Sequence, residues 1–201
     1  MTFKFDALFW PVMFVVLVCC AGWQTYQNRR LQTPEPADSE SHAAFRESME
    51  KIRTYEFAQI GKVLTWPPTM KVFGPQAPNR APGGYKLVLA LSELSCDVCR
   101  DEETQFALGL ARQHGVDVTI VVRAAQARYV RSYMRLNGIE LSVYHDQAGE
   151  FFQQHQLGEG PLLMLVNPQQ EVIAAHWPLP GDPDLCRPFH QMCTTFFQSG
   201  P

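Results

Sequence analysis

The pattern of apolar and polar positions predicts strands and helices in alternation from residue 85 to the end of the chain. Short runs rich in apolar and β-branched residues predict strands at Lys86–Ser92, Val116–Arg123, Ser142–Tyr144, Leu162–Val166 and Val172–His176. Helical spacing predicts helices at about Cys99–His114, Ala125–Asn137, Glu150–Gln156 and Pro183–Phe197. The first strand, helix and strand form a β-α-β unit, and the tight turn at Asn167–Gln170 makes its two flanking strands antiparallel neighbours. We therefore expect an α/β domain with a mixed central sheet flanked by helices over residues 85–201.

The N-terminal segment is predicted to enter a membrane. The uncharged run Ala7–Trp23 lies at the lower limit of the roughly 17 to 25 residues that a transmembrane helix requires. Trp10 and Trp23 bracket it, where an interfacial aromatic belt would lie. Residues 1–23 are thus predicted to be a membrane anchor, with a cleavable export signal as the alternative. Arg29 and Arg30 count against export, but a long domain translocates largely regardless of so small a charge difference.

Residues 24–84 are predicted to connect the anchor to the domain. Gln24–Ser41 is polar and rich in proline and charge, which is typical of a disordered tether. His42–Ile60 shows helical spacing and is predicted to be an amphipathic helix. Trp66–Gly84 is rich in proline, and we expect irregular structure there with at most a short strand at Lys71–Phe73.

Charge and cysteine content narrow the possible functions. The net charge of −3 provides no basic face for a polyphosphate backbone, so nucleic acid is not expected as a partner. Of six cysteines, Cys19 and Cys20 lie in the apolar run, and the others form two close pairs, Cys96/Cys99 and Cys186/Cys193. An even number of cysteines in the polar part is typical of proteins in oxidising compartments.

The chemistry is predicted to reside in Cys96-Asp97-Val98-Cys99, where a buried strand gives way to a helix. Backbone N–H groups and the partial positive charge of a helix N-terminus stabilise a thiolate, so Cys96 is predicted to be the nucleophile. The spacing of three places Cys99 on the same helix face, close enough for a disulfide, which makes it the resolving thiol.

Other reactive residues offer weaker patterns. A zinc site built on the CxxC would need a second ligand pair, and Cys186 and Cys193 supply one poorly. The histidines His114, His145, His155, His176 and His190 show no metal spacing, so no metal site and no cofactor are expected. Glu102 and Glu103 could accept a proton near Cys99, although acidic residues also simply suit a first helical turn.

Four segments resemble the thioredoxin-like family, and more closely its membrane-tethered TlpA/ResA-type members. They are the strand Lys86–Leu91, the turn Ser95–Arg100, and the segments Tyr144–Glu150 and Leu157–Asn167. The resemblance implies a thioredoxin-like fold with Cys96 and Cys99 as the redox pair. It also implies that Pro161 is cis and opposes the cysteines, while the carbonyl of Gly160 guides an extended substrate segment. An ordinary trans proline opening a strand is the alternative.

The active-site motif departs from the family pattern. The family usually has Trp before the first cysteine and Pro, often with Gly or His, between the two, whereas this chain has Ser95, Asp97 and Val98. A carboxylate beside the nucleophile opposes thiolate formation, so Asp97 should raise the pKa of Cys96. Because thiolate stabilisation is what makes a strong oxidant, Asp97 and Val98 indicate a reducing protein.

The second cysteine pair is predicted to form a structural disulfide. In one straight helix the Cα atoms of Cys186 and Cys193 would lie roughly 10 Å apart, beyond the roughly 7 Å that a disulfide tolerates. We therefore expect the helix to begin near Pro188 and Cys186 to lie in the preceding loop. The alternatives are two buried thiols that act as small hydrophobic groups, or a relay with the Cys96/Cys99 site.

These expectations combine into one functional hypothesis. The chain is predicted to be a single-pass membrane protein whose thioredoxin-like domain faces the periplasm or another extracytoplasmic space. It would exchange thiols and disulfides with protein substrates, and a membrane or periplasmic redox partner would regenerate it. The alternatives are a non-catalytic binding or assembly module, and a metallochaperone that holds Cu(I) with the same two thiols.

Overall fold

The computed structural model describes residues 36–75, 84–178 and 183–199. The chain divides into two compact units, one ending at Glu50 and the other running from Lys51 to Pro201. The predicted anchor at residues 7–23, with Cys19 and Cys20, lies outside the described residues. Within the described ranges, no helix combines the length and apolar character needed to cross a bilayer.

Six strands form one mixed sheet. They are β1 (Lys71–Phe73), β2 (Lys86–Ser92), β3 (Asp117–Arg123), β4 (Val143–His145), β5 (Leu162–Val166) and β6 (Val172–His176). The spatial order is β1-β4-β3-β2-β5-β6. Strands β2, β3 and β4 are parallel neighbours, while β1 pairs antiparallel with β4, and β5 pairs antiparallel with both β2 and β6. The predicted antiparallel pairing across the turn at 167–170 is confirmed.

Five helices accompany the sheet. They are α1 (Pro36–Gln59), α2 (Asp97–His114), α3 (Ala127–Asn137), α4 (Glu150–His155) and α5 (Pro183–Ser199). Helices α2 and α3 each end at a glycine in the left-handed region, Gly115 (φ 64°) and Gly138 (φ 60°). Both stops follow from the sequence, since glycine takes this conformation without the clash that a Cβ would cause.

The central strands are buried on both faces, which explains why they read as continuous apolar runs. Along β2, Leu87, Leu89 and Leu91 belong to one core cluster, whereas Val88 and Ala90 belong to the other. Because successive side chains of a strand point to opposite faces, the two clusters lie on opposite sides of the sheet. Helix α2 contributes Ala107, Leu108 and Leu110 to the first cluster, and α5 contributes Cys193.

The compact domain was predicted to begin at Tyr85, but residues before Tyr85 also contribute to the second compact unit. The backbone N–H of Gly61 donates a hydrogen bond to the carbonyl of Val172, and the carbonyl of Lys62 accepts one from the N–H of Val172. Leu64 is a core residue with 3% of its surface exposed. Strand β1 then joins the other edge of the sheet through β4. Helix α1 also begins at Pro36 and not at His42, so residues 36–41 are helical, not part of a tether. Proline suits a first helical turn because its missing N–H has no partner there.

The last helix overturns the predicted disulfide. Helix α5 is continuous from Pro183 to Ser199 with Pro188 inside it, and both Cys186 and Cys193 lie on it as buried, unbridged thiols. Seven residues at about 1.5 Å per residue place their Cα atoms roughly 10 Å apart, too far for a disulfide. The prediction failed because Pro188 does not begin the helix. Cys193 fills space as a small buried side chain in the first core cluster.

Candidate active site

Cys96 and Cys99 occupy very different positions at the start of α2. Cys96 is the N-cap residue, exposed to solvent, and its carbonyl accepts the helical hydrogen bond from Arg100 N–H at 3.0 Å. Cys99 lies one turn further on, with only 2% of its surface exposed. This is the predicted arrangement of an accessible first thiol and a covered second thiol.

Hydrogen bonds to Cys96 favour its thiolate. The backbone N–H of Cys99 is the largest of several contributions that lower the pKa of Cys96, followed by the thiol of Cys99 and, more weakly, the backbone N–H of Val98. Burial and the hydrogen bond with Cys96 raise the pKa of Cys99 to about 12, so Cys99 keeps its proton while Cys96 is reduced. The pair therefore holds one accessible thiolate and one buried thiol that donates to it.

Asp97 acts on Cys96 in the predicted direction but is outweighed. Its negative charge raises the pKa of Cys96, and this effect is the smallest of those acting on the thiol. One reason is Arg100, whose guanidinium lies 2.7 Å from the Asp97 carboxylate and is itself mostly buried. Arg100 is held over the ring of Tyr133 at 4.8 Å. The spacing of three residues on a helix could have identified this ion pair from the sequence.

The loop before β5 is bonded to the active-site turn through Glu159. The hydroxyl of Ser95 donates to the carbonyl of Glu159 at 2.6 Å, and the hydroxyl of Ser92 donates to its carboxylate at 2.5 Å. Arg123, at the end of β3, pairs with the other carboxylate oxygen at 2.8 Å. Glu159 was not predicted as a site residue, yet it fixes the loop that leads into Gly160 and Pro161 beside the turn that carries Cys96.

Comparison with known proteins identifies the fold. No protein-family model and no curated protein matches the chain. Among solved structures, a protein described as a thiol:disulfide interchange protein DsbE from Chlorobium tepidum aligns with TM-score 0.51 and 11% identity, over 68% of this chain and 98% of that one. A thioredoxin-like protein in its oxidised form aligns with TM-score 0.51 and 10% identity, over 69% and 97% of the two chains. The chain has the thioredoxin-like fold.

The conformation of Pro161 in this thioredoxin-like fold differs from the one that the resemblance implied. Pro161 is buried and directly precedes β5, while the peptide bond that joins it to Gly160 is trans. The expectation of a cis bond is therefore corrected. The trans form of an X–Pro bond is favoured by about 0.5–1 kcal/mol unless the surrounding contacts override it. Gly160 is closely covered by Trp177, so a Cβ built on it would lie 2.1 Å from the indole nitrogen.

Two exposed apolar side chains flank the thiols of this thioredoxin-like domain. Leu94 is 73% exposed and Val98 is 60% exposed, on either side of Cys96. Val98 was predicted to tune the site, and its contribution is its backbone N–H, not its side chain. Exposed aliphatic groups beside a reactive sulfur offer contact to an extended peptide without specifying its sequence.

Behind the redox pair, the fold gathers residues that are scattered in the sequence. Glu103 is 1% exposed, and both its carboxylate oxygens lie 3.1 Å from Nε2 of His190. His176 and Cys186 are buried nearby, and their ligating atoms and that of Glu103 lie within 4.8 Å of one another. No spacing pattern in the sequence indicates this cluster, because its members come from α2, β6 and α5. Glu102, the neighbour of Glu103, is exposed.

Proposed function

We propose that the chain is a thiol–disulfide oxidoreductase that reduces protein disulfides in an extracytoplasmic space through Cys96 and Cys99. One observation carries the proposal: an exposed Cys96 with a lowered pKa stands at a helix N-terminus and is bonded by a buried Cys99 whose pKa is raised to about 12. An inert structural pair would have no need for this asymmetry. The thioredoxin-like fold supports the proposal, because this fold can present such a pair at a strand-to-helix junction.

The reaction begins with the Cys96 thiolate. It attacks one sulfur of a substrate disulfide, so that a mixed disulfide forms and the other substrate sulfur leaves as a thiolate that takes up a proton. Two causes of the high pKa of Cys99, the hydrogen bond to Cys96 and its negative charge, are then lost. Cys99 can therefore release its proton and attack the Cys96 sulfur. The substrate leaves as a dithiol, and the protein is left with a Cys96–Cys99 disulfide that a membrane or periplasmic dithiol partner must reduce.

The substrate-binding surface in this proposal is the rim of the turn. An extended segment of the substrate would run between Leu94 and Val98 on one side and the loop at Gly160 and Pro161 on the other. The bonds from Ser92 and Ser95 to Glu159 keep that loop in place when no substrate is bound. A fixed loop lowers the entropy lost when the substrate segment is ordered.

Trapping with single-cysteine variants tests the roles of the two thiols. In a Cys99→Ala variant, mixed disulfides with exported proteins should accumulate, because nothing resolves them. The matched Cys96→Ala variant should trap none, since Cys99 is buried. Insulin reduction by the parent chain should be lost in both variants. Equal trapping by both variants would contradict the assignment of the nucleophile.

The redox potential tests the direction of electron flow. The proposed reducing role requires a potential nearer the about −270 mV of thioredoxin than the about −120 mV of DsbA. Asp97 opposes the Cys96 thiolate and so favours the reducing direction, but its effect is the smallest of those acting on the thiol. Equilibration of the purified protein with dithiol buffers measures it. A value near that of DsbA would identify an oxidant instead. A reporter that is active only outside the cytoplasm, fused after Pro201, tests the location.

A further inference from the structure

The buried cluster behind the redox pair combines three side chains that bind transition metals. Glu103 comes from the second turn of α2, His176 is the last residue of β6, and Cys186 lies in the first turn of α5. They are 1%, 8% and 5% exposed, and each contributes one ligating atom to a set within 4.8 Å. Three elements thus converge on one buried point that does not include Cys96 or Cys99.

The imidazole of His176 is held as metal-binding imidazoles are held. Its Nδ1 lies 3.1 Å from a carboxylate oxygen of Glu56, and the same oxygen accepts the backbone N–H of Trp177 at 2.7 Å. A carboxylate only accepts hydrogen bonds, so it fixes the proton on Nδ1 and leaves the lone pair of a neutral ring on Nε2. That Nε2 is buried and has no hydrogen-bond partner among the described residues. A carboxylate that orients a histidine through its distal nitrogen is typical of zinc sites.

The carboxylate of Glu103 is oriented in a similar way. Nε2 of His190 donates to it at 3.1 Å, and the His190 ring stacks on Phe106 at a centroid distance of 3.8 Å. An ionised carboxylate offers about four acceptor positions, so this bond leaves room for a cation. His190 is positively charged only when it is protonated, whereas a divalent cation at this point would give the buried carboxylate a permanent positive partner.

The donor set determines which ion fits. Thiolate, imidazole and carboxylate together suit Zn²⁺, whereas Mg²⁺ and Ca²⁺ prefer oxygen ligands throughout. The charges of a Cys186 thiolate and the Glu103 carboxylate would balance a divalent ion, which makes its burial less costly. Tetrahedral bonds of about 2.0–2.3 Å to zinc require ligand separations of roughly 3.5 Å. The observed set would need to contract by roughly 1 Å to meet this distance.

We propose that Glu103, His176 and Cys186 form a zinc site, with Glu56 orienting His176 and a fourth coordination position left open. Binding the ion removes the proton of Cys186 and joins α2, β6 and α5 through a single atom. The proposal does not rest on the redox activity, because neither Cys96 nor Cys99 is a ligand, but Cys186 lies close enough to raise the pKa of Cys99. Its failure and that of the oxidoreductase proposal can therefore be told apart.

Cobalt titration tests the site directly. The full chain carrying Cys96→Ser and Cys99→Ser, purified with reductant and freed of metal by a chelator, removes the redox pair as a competing ligand. Adding Co²⁺ should produce thiolate-to-cobalt charge-transfer absorption that saturates at a single ion per chain and is displaced by Zn²⁺. The absorption should disappear in a further Cys186→Ser variant and persist in Cys193→Ser, a buried thiol of the same helix outside the cluster.

A second variant keeps the test decisive if Cys186→Ser fails to fold. Glu56→Gln leaves all three ligands in place and alters the group that orients His176 and accepts the backbone N–H of Trp177. Loss of such an outer partner typically costs about 10–100-fold in metal affinity. Circular dichroism establishes that each metal-free variant keeps the parent fold. Absence of cobalt binding, persistence of the charge-transfer absorption in Cys186→Ser, or unchanged affinity in Glu56→Gln would each overturn the proposal.

Discussion

Replacing Gly160 by alanine perturbs the loop beside the redox pair through one defined contact. The added Cβ would lie 2.1 Å from the indole nitrogen of Trp177, where an ordinary contact is at least 3.4 Å. The ring or the loop must therefore move by at least 1.3 Å, the difference between 3.4 and 2.1 Å. Gly160 has no left-handed backbone conformation, so the expected cost comes from this overlap and not from backbone strain.

Trp177 has little freedom to move away from such a Cβ. Its backbone N–H is bonded to Glu56, and its ring meets that of Tyr55 edge to face at a centroid distance of 4.6 Å. Overpacking of this kind typically costs about 1–3 kcal/mol of stability. For a domain of this size, each kcal/mol lowers the melting temperature by about 2–4 °C.

Thermal and urea unfolding followed by circular dichroism measure the effect, with Gly109→Ala as the matched control. Gly109 lies inside α2, and a Cβ there meets nothing within 4 Å. Alanine at this position should stabilise the protein by up to about 1 kcal/mol, because glycine is the poorer helix former. If Gly160→Ala melts at or above the parent temperature while Gly109→Ala behaves as expected, the steric argument is wrong.

Two further predictions follow from the pKa shifts of the thiols. The rate of alkylation of Cys96 should have its pH midpoint below the ordinary thiol pKa of about 8.5. Cys99→Ala should raise that midpoint, and Cys99→Ser should raise it less because serine keeps a hydrogen-bond donor. Equal midpoints in the two variants would argue against the hydrogen bond. The reduced protein should lose stability as the pH rises from about 8.5 toward 12, because burial raises the pKa of Cys193 to about 12 while the unfolded thiol ionises earlier. Urea unfolding across this window should show a shallower decline in Cys193→Ala, and an identical decline would refute the assignment.

The sequence predicts the central strands well because their environment is simple. β2, β5 and β6 are continuous apolar runs bounded by turn residues, and their observed ends match the predicted ones. Helix α2 begins at Asp97, two residues before the predicted start at Cys99. Helix ends are set by local capping geometry, which apolar periodicity reports poorly.

Long-range contacts account for what the sequence could not predict. Glu159 reaches Ser92, Ser95 and Arg123 from a different part of the chain, and no spacing rule connects these positions. His190, which hydrogen-bonds Glu103, is equally remote from it in sequence. In contrast, the helical spacing of Asp97 and Arg100 predicts their ion pair. This pair weakens the expected effect of the Asp97 charge on the pKa of Cys96.

The stretch before Tyr85 has a consequence for self-association. Residues 61–64 hydrogen-bond to Gln170 and to Val172 at the start of β6, and β1 pairs with β4 at the opposite edge of the sheet. The intervening Trp66 and Met70 pack under the sheet in the second core cluster. One short segment thus pairs with both outer strands, at positions whose N–H and C=O groups would otherwise be open to strands from other molecules. A protein shortened to begin at Tyr85 would keep its redox pair but leave the edge of β4 and the start of β6 open to pairing with its own copies.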